Sequence, residues 1–243
     1  MKSVCLIPAR MASTRFPGKM LAKIDGRSVI SRTYNSVAEA KIFDAVYVVT
    51  DSQEIKKEIE GIGGQVFISH KPYESGSDRI AEAAQALDFD IIVNVQGDEP
   101  FIQKEPLSAL ISLLDDDKVE CASLMQEIAS EEDVLNPNNV KVVTDNYGFA
   151  LYFSRSPIPF DRDGIGKAKY YKHIGVYGFR KDTLLRFTTL PQSELEQSEK
   201  LEQLRMLQDG IKIKMAITQS IGVEIDAPED IKKAEFFIKQ HSK

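Results

Sequence analysis

Val4-Cys5-Leu6-Ile7-Pro8-Ala9-Arg10-Met11-Ala12-Ser13-Thr14-Arg15-Phe16-Pro17-Gly18-Lys19 begins as a short apolar run and turns, at Pro8, into a loop carrying three cations. An unbroken apolar run suits a strand buried on both faces. Ser28 to Ala40 follows with apolar residues at helical spacing (Val29, Ile30, Tyr34, Val37, Ala38). The alternation then recurs. Ala45 to Thr50 reads as a second buried strand, Asp51 and Ser52 suit a cap, and Glu54 to Ile59 reads as a helix. Gly61 to Gly64 closes it before a third strand, Gln65 to Ile68; Asp78 to Leu87 reads as a helix and Ile91 to Gln96 as a fourth strand. Apolar strands separated by helices predict an α/β fold with a mostly parallel, twisted sheet flanked by helices. Ligands of such sheets collect beyond the carboxyl ends of the strands. Here those ends are Pro8 to Lys19, Thr50-Asp51 and Gly97 to Pro100, all polar and turn-forming.

The second half is more mixed. Val140 to Asp145 and Phe149 to Ser154 read as a hairpin turning at Asn146-Tyr147-Gly148, and Lys172 to Arg180 as a further strand. Leu195 to Leu207 is expected as one charged helix stopped by Gly210, Ile211 to Ile217 as a strand, and Asp230 to Lys239 as a helix opened by Pro228 and Glu229. No linker or repeat divides the chain, so one domain over 1–243 with two lobes is expected.

The 243 residues suffice for a large core, and 31 basic against 37 acidic residues leave a net charge of −6. That balance argues against a nucleic-acid binder coated in lysine and arginine. It leaves room for a small anion held by a local cationic cluster. Cys5 and Cys121 form no CxxC pair, which argues against zinc fingers or a disulfide framework and for a reducing compartment. The opening MKSVCLIPAR is too short an apolar run for a secretion signal, and no stretch reaches the ~18 apolar residues of a membrane span. A soluble, cytoplasmic chain without membrane contact is expected.

Arg10, Arg15 and Lys19, with hydroxyls at Ser13 and Thr14 and a glycine at 18, make a loop suited to a triphosphate, whose charge must be neutralised before a nucleophile can approach. It is not a Walker loop: no glycine stands five positions before Gly18, and Met20 follows Lys19. Asp98 stands just past a buried strand, where a carboxylate beside phosphates suits Mg²⁺. Asp226, in Glu224-Ile225-Asp226-Ala227-Pro228-Glu229-Asp230, is a second candidate, although its spacing alone favours a helix cap. Ser75-Gly76-Ser77-Asp78-Arg79 either lets backbone approach a flat base or simply caps a helix through Ser77 or Asp78. A lone histidine such as His173 is more often a hydrogen-bonded structural residue than a base, and His70 and His241 have no suggestive neighbours.

Taken together, IPARxxSTRFPGK, SGxDR, NVQGDEP, ALYFSRSPIPF (Ala150 to Phe160), KHIGVYGF (Lys172 to Phe179), LEQLR (Leu201 to Arg205) and DxPED resemble the 3-deoxy-manno-octulosonate (Kdo) cytidylyltransferases, in order from about residue 4 to about 235. The first loop is shared with CMP-sialic acid synthetases; NVQGDEP, SRSPIPF and KHIGVYGF are more particular to the Kdo enzymes. The resemblance implies a Rossmann-like nucleotidyltransferase fold with a smaller hairpin-bearing lobe, a homodimer, and condensation of CTP with Kdo to CMP-Kdo and pyrophosphate, with Mg²⁺, for lipopolysaccharide synthesis. It implies a nucleotide-binding lobe over about 1–130 and a sugar-binding and dimerisation lobe over about 131–243. Ala9, Arg10, Arg15, Lys19, Ser75, Gly76 and Gln96 would surround the nucleotide, with Lys19, Arg10, Arg15 and Asp98 carrying the chemistry. Asp98 and Asp226 would bind metal, against the spacing-based preference for a cap. Arg155, His173, Tyr177, Glu202 and Gln203 would hold the acidic sugar. Departures from the family pattern, such as Met11, Met20, Ser52 and Ala227, remove no implied phosphate or metal ligand. Two rivals stand beside this reading. A nucleotide-sugar glycosyltransferase would use a DxD motif, for which only Asp115-Asp116-Asp117, expected at an exposed helix end, offers itself; a non-enzymatic nucleotide sensor would leave SRSPIPF and KHIGVYGF unexplained.

Overall fold

The structure, a computed structural model, describes residues 1–241 apart from Thr14, Pro72, Glu74, Ile165, Lys167, Ser220 and Ile221, and of His241 only the backbone. Thr14, one of the two hydroxyls read into the cationic loop, thus lies outside the described residues.

The elements run β1 (Ser3–Pro8), β2 (Lys23–Ile24), β3 (Arg27–Ser28), α1 (Val29–Ala40), β4 (Ala45–Thr50), α2 (Gln53–Gly61), β5 (Gln65–Ile68), α3 (Gly76–Ala86), β6 (Ile91–Asn94) and α4 (Lys104–Leu113). They continue with β7 (Cys121–Glu127), α5 (Glu131–Leu135), β8 (Lys141–Thr144), β9 (Ala150–Ser154), β10 (Tyr171–Arg180), α6 (Lys181–Thr189), α7 (Glu194–Glu199), α8 (Gln203–Gln208), β11 (Ile213–Ile217) and α9 (Asp230–His241). The chain divides into two compact units, Met1–Leu107 with Ile221–Lys243, and Ser108–Ser220. The division expected near residue 130 therefore falls inside α4, and the last segment belongs with the first unit. Burial explains its place: Ile225 and Ala234 are sealed in one apolar cluster with Ile24 and Val29.

In the first unit β6, β1, β4 and β5 lie side by side, all parallel, with Val4 opposite both Ala45 and Ile92. Val4, Cys5, Leu6 and Ile7 are fully buried, as their unbroken apolar run predicts. After β1 the chain steps one way to β4 and β5, then returns to the far side of β1 for β6. α1 packs against α2, and the right-handed rule for such crossovers puts α3, which returns the chain the other way, on the opposite face. The loops after β1 and β6 consequently part in opposite directions and leave a crevice at the carboxyl ends. Helix starts follow one local rule, since Ser28, Ser52 and Ser75 each accept a hydrogen bond from the third backbone N–H beyond them. The cap of α3 is thus Ser75, not Ser77 or Asp78, and Ser77 is buried inside the first turn.

In the second unit β7 pairs antiparallel with β10 and parallel with β11, and β8 and β9 form the expected hairpin. β10 carries an irregularity between Ile174 and Tyr177. The helix expected over 195–207 is broken into α7 and α8. Lys200 sits at φ 55, a left-handed conformation that ends α7 and lets Leu201 turn inward. Asp115, Asp116 and Asp117 follow the end of α4, exposed, as expected.

Candidate active site

The crevice of the first unit holds a cavity of about 360 Å³ whose lining includes Ala9, Arg10, Arg15, Lys19, Ser75, Gly76, Gln96, Asp98 and Asp226. Every nucleotide and metal candidate read from the sequence therefore meets in one place. The loop after β1 is folded by its own contacts. Phe16 N–H donates to Ser13 Oγ at 3.3 Å, and Lys19 N–H donates to the Phe16 carbonyl at 3.1 Å. Gly18, at φ 72, makes the left-handed step that turns Lys19 inward. Gly97 is required by space: a Cβ there would stand 2.9 Å from both the Pro8 carbonyl and Met20 Sδ.

The acids arrive from two directions. Asp98 follows β6, and its carbonyl accepts the Ile225 N–H at 3.0 Å. Ile225 is fully buried, while its neighbours Glu224 and Asp226 line the cavity. Carboxylate oxygens of Asp98, Glu224 and Asp226 lie within 4.8 Å of one another. Asp230, the first residue of α9, accepts the N–H groups of Asp226 and Ala227 ahead of the helix at 3.0 and 2.9 Å. The Asp226 side chain does not turn back to cap the helix. Its carboxylate instead takes Arg15 through both guanidinium NH₂ groups, at 3.2 and 3.1 Å, with Lys19 Nζ at 3.8 Å. Lys19 Nζ also donates to Asp98 at 2.5 Å. Three hard carboxylate oxygens converging beside a phosphate-sized basic loop suit Mg²⁺, which prefers oxygen ligands and keeps places for phosphate and water.

Glu224, Tyr73 and Arg79 also line the cavity, and the sequence reading assigned them nothing. The signal for Glu224 was its i, i+2 spacing from Asp226 around a buried isoleucine. Arg79 is held by Asp51 with both nitrogen–oxygen distances at 3.1 Å, which explains an acid at the end of β4. The Ala9 N–H already donates to the Val49 carbonyl, so Ala9 lends the cavity its surface and not its donor.

The sugar candidates belong to the second unit. His173 lies with Phe153 edge-on at 5.0 Å and Tyr177 at 5.4 Å, and burial, with Lys172 nearby, pushes its pKa down to about 3. The ring is neutral at working pH and contributes hydrogen bonding, not charge. Ser123 Oγ lies 2.9 Å from the Val176 carbonyl and 3.1 Å from His173 Nε2. One hydroxyl proton cannot serve both; given to the carbonyl, it leaves Nε2 as the donor and Nδ1 as an acceptor. Burial, with Cys121 and Glu202 adding to it, holds the Tyr177 phenol well above its ordinary pKa. Glu202 and Gln203 open α8, Gln203 buried. Arg155 is clamped: Nε, Nη1 and Nη2 donate to the carbonyls of Glu199, Pro137 and Lys200 at 2.8, 3.0 and 3.4 Å. Beneath it the fully buried Lys141 donates to the Arg155 carbonyl at 2.6 Å, with its pKa lowered by burial and by Arg155.

Residues 4–213 match the family model described as cytidylyltransferase. A 3-deoxy-manno-octulosonate cytidylyltransferase of Flavobacterium johnsoniae is 52% identical, over 98% of this chain and 99% of that one. One of Christiangramia forsetii is 50% identical, over 95% and 94%. A solved CMP:2-keto-3-deoxy-manno-octonic acid synthetase complexed with CTP superposes with a TM-score of 0.94 at 37% identity, over 99% of this chain and 100% of that one. Matched in sequence and fold along nearly its whole length, the chain belongs to the cytidylyltransferase family, among the 3-deoxy-manno-octulosonate cytidylyltransferases.

Proposed function

We propose that the chain condenses CTP with Kdo, releasing pyrophosphate and giving CMP-Kdo for lipopolysaccharide synthesis, with Mg²⁺ held by Asp98, Glu224 and Asp226. The observation that carries this reading is the convergence of Arg10, Arg15 and Lys19 on those acids in one crevice cavity. Both substrates are anionic, so the site must first cancel their repulsion. Arg10, Arg15 and Lys19 hold the triphosphate, and the leaving pyrophosphate keeps those partners as its charge grows. Gly76 and Gln96 bound the space for the base. When bound, Mg²⁺ supplies Lewis-acid polarisation of the phosphate and a lower pKa for the attacking hydroxyl. Arg155, fixed by three carbonyls, keeps two of its five N–H groups for an anion. With neutral His173, Tyr177, Glu202 and Gln203 it binds and orients Kdo. The anomeric oxygen bonds to the α-phosphorus, the bond to the β-phosphate bridge breaks, and the hydroxyl proton passes to water.

Pyrophosphate release on mixing protein, CTP and Mg²⁺ with Kdo tests the proposal, with sialic acid and 8-amino Kdo as parallel acceptors. Release with Kdo supports it; release with sialic acid alone overturns the acceptor, and no release in any arm overturns the reaction.

A homodimer is part of the proposal. Tyr147, Leu151, Phe160 and Ile217, all on the hairpin-bearing unit, remain 59–84% exposed, an expensive surface to leave in water. Sedimentation should give twice 27.2 kDa; a monomer at micromolar concentration overturns it. Both cysteines are free and buried, in keeping with a cytoplasmic enzyme, and among the described residues no helix is long and apolar enough to cross a membrane.

A further inference from the structure

We propose that Lys19 is a built-in counter-ion of the metal site, so that a divalent ion and a polyphosphate enter the first unit's cavity as coupled guests. The inference rests on the reading of Asp98 and Asp226 as metal ligands. The Lys19 ammonium lies 2.5 Å from Asp98 Oδ2 and 3.8 Å from Asp226 Oδ1, between two of the three converging carboxylates. A divalent ion bonded to both acids, at the roughly 2.1 Å that Mg²⁺ demands, needs that same space. Two cations cannot share it. The lysine is also not a loose surface chain: its side chain is 9% exposed and its backbone is pinned by the Phe16 carbonyl.

An ion entering alone must therefore strip a sheltered ammonium of its carboxylate partners and leave it poorly compensated. A polyphosphate changes the exchange. Phosphate oxygens take over the ammonium, the acids are released, and the ion fills the place the lysine has left. Each guest then raises the affinity of the other by the same factor. Arg15 makes a parallel exchange from Asp226, but its side chain is 69% exposed and solvent weakens that hold. The coupling is concentrated in Lys19.

The test is a titration of nucleotide-free protein with Mn²⁺, unbound Mn²⁺ being read by its electron paramagnetic resonance signal. Lys19→Met should bind Mn²⁺ at least tenfold more tightly than the unaltered protein, and Asp98→Asn should abolish the site in both backgrounds. Lys19→Gln, which keeps a polar head, gives the reading if the methionine variant fails to fold. Equal or weaker binding in both lysine variants, with Asp98→Asn still abolishing it, sinks the counter-ion while the metal reading stands. Binding indifferent to Asp98→Asn sinks the metal reading and the inference with it.

Discussion

Among the described acids of the cavity, Asp98 is the one carried by the loop that follows a strand of the parallel sheet, and Lys19 is held against it. Asp98→Asn keeps the shape and removes the charge, so turnover of the folded protein should fall by about 10²-fold or more. A near-normal rate would remove its role. His173 carries a second prediction, because its folded pKa of about 3 lies below the unfolded 6.5. The unfolded chain then binds the extra proton between these values. Stability is complete above about pH 6.5 and declines toward pH 3, by up to about 1.4 kcal/mol per pH unit. Urea melts of the parent and of His173→Phe, compared across pH 4–7, should show a shallower decline in the variant. Residues near each other in sequence were the legible ones at this scale: Arg10, Arg15 and Lys19 share one loop. Glu224 was not legible, because an acid ahead of Pro228 and Glu229 looks like any helix-opening acid until Ile225 is known to be buried.

Among elements, the stretch before α9 matters most to the site. Ile225 anchors it, through both its buried side chain and its N–H to the Asp98 carbonyl. Ile225→Ala should cost about 2–5 kcal/mol by the cavity it leaves. It should also lower turnover in protein that is still folded, since Glu224 and Asp226 lose their aim; unchanged turnover at reduced stability would separate the anchor from the site. Strands β1, β4 and β5 were readable because they are apolar without interruption. β7 was not: Cys-Ala-Ser-Leu-Met-Gln-Glu is a helix-favouring composition, and only pairing with β10 and β11 makes it a strand. The single helix expected over 195–207 failed for a comparable reason, a left-handed Lys200 that propensity does not announce.

For the whole molecule, the expected effect is linkage between ligands and stability. CTP with Mg²⁺ at a hundred times the dissociation constant should add about 2.7 kcal/mol, visible as a rise in melting temperature. CTP with a chelator should add clearly less, and equal shifts in the two conditions would argue against a metal in the nucleotide site. The α/β class was plain from the order of strands and helices. The partition of the chain was not, since Ile221–Lys243 returns to the first unit and composition does not mark such a return. Burial of Ala234 and Ile225 marks it, and burial is a property of the folded chain.

The pairing of Arg15 with Asp226 joins residues 211 positions apart. At synthesis rates of about 5–20 residues per second, Arg15 leads Asp226 by roughly ten to forty seconds. Lys19 waits a shorter time, since Asp98 follows it by only 79 positions. Translation order thus completes the acid cluster last, when residues 224–226 have been made.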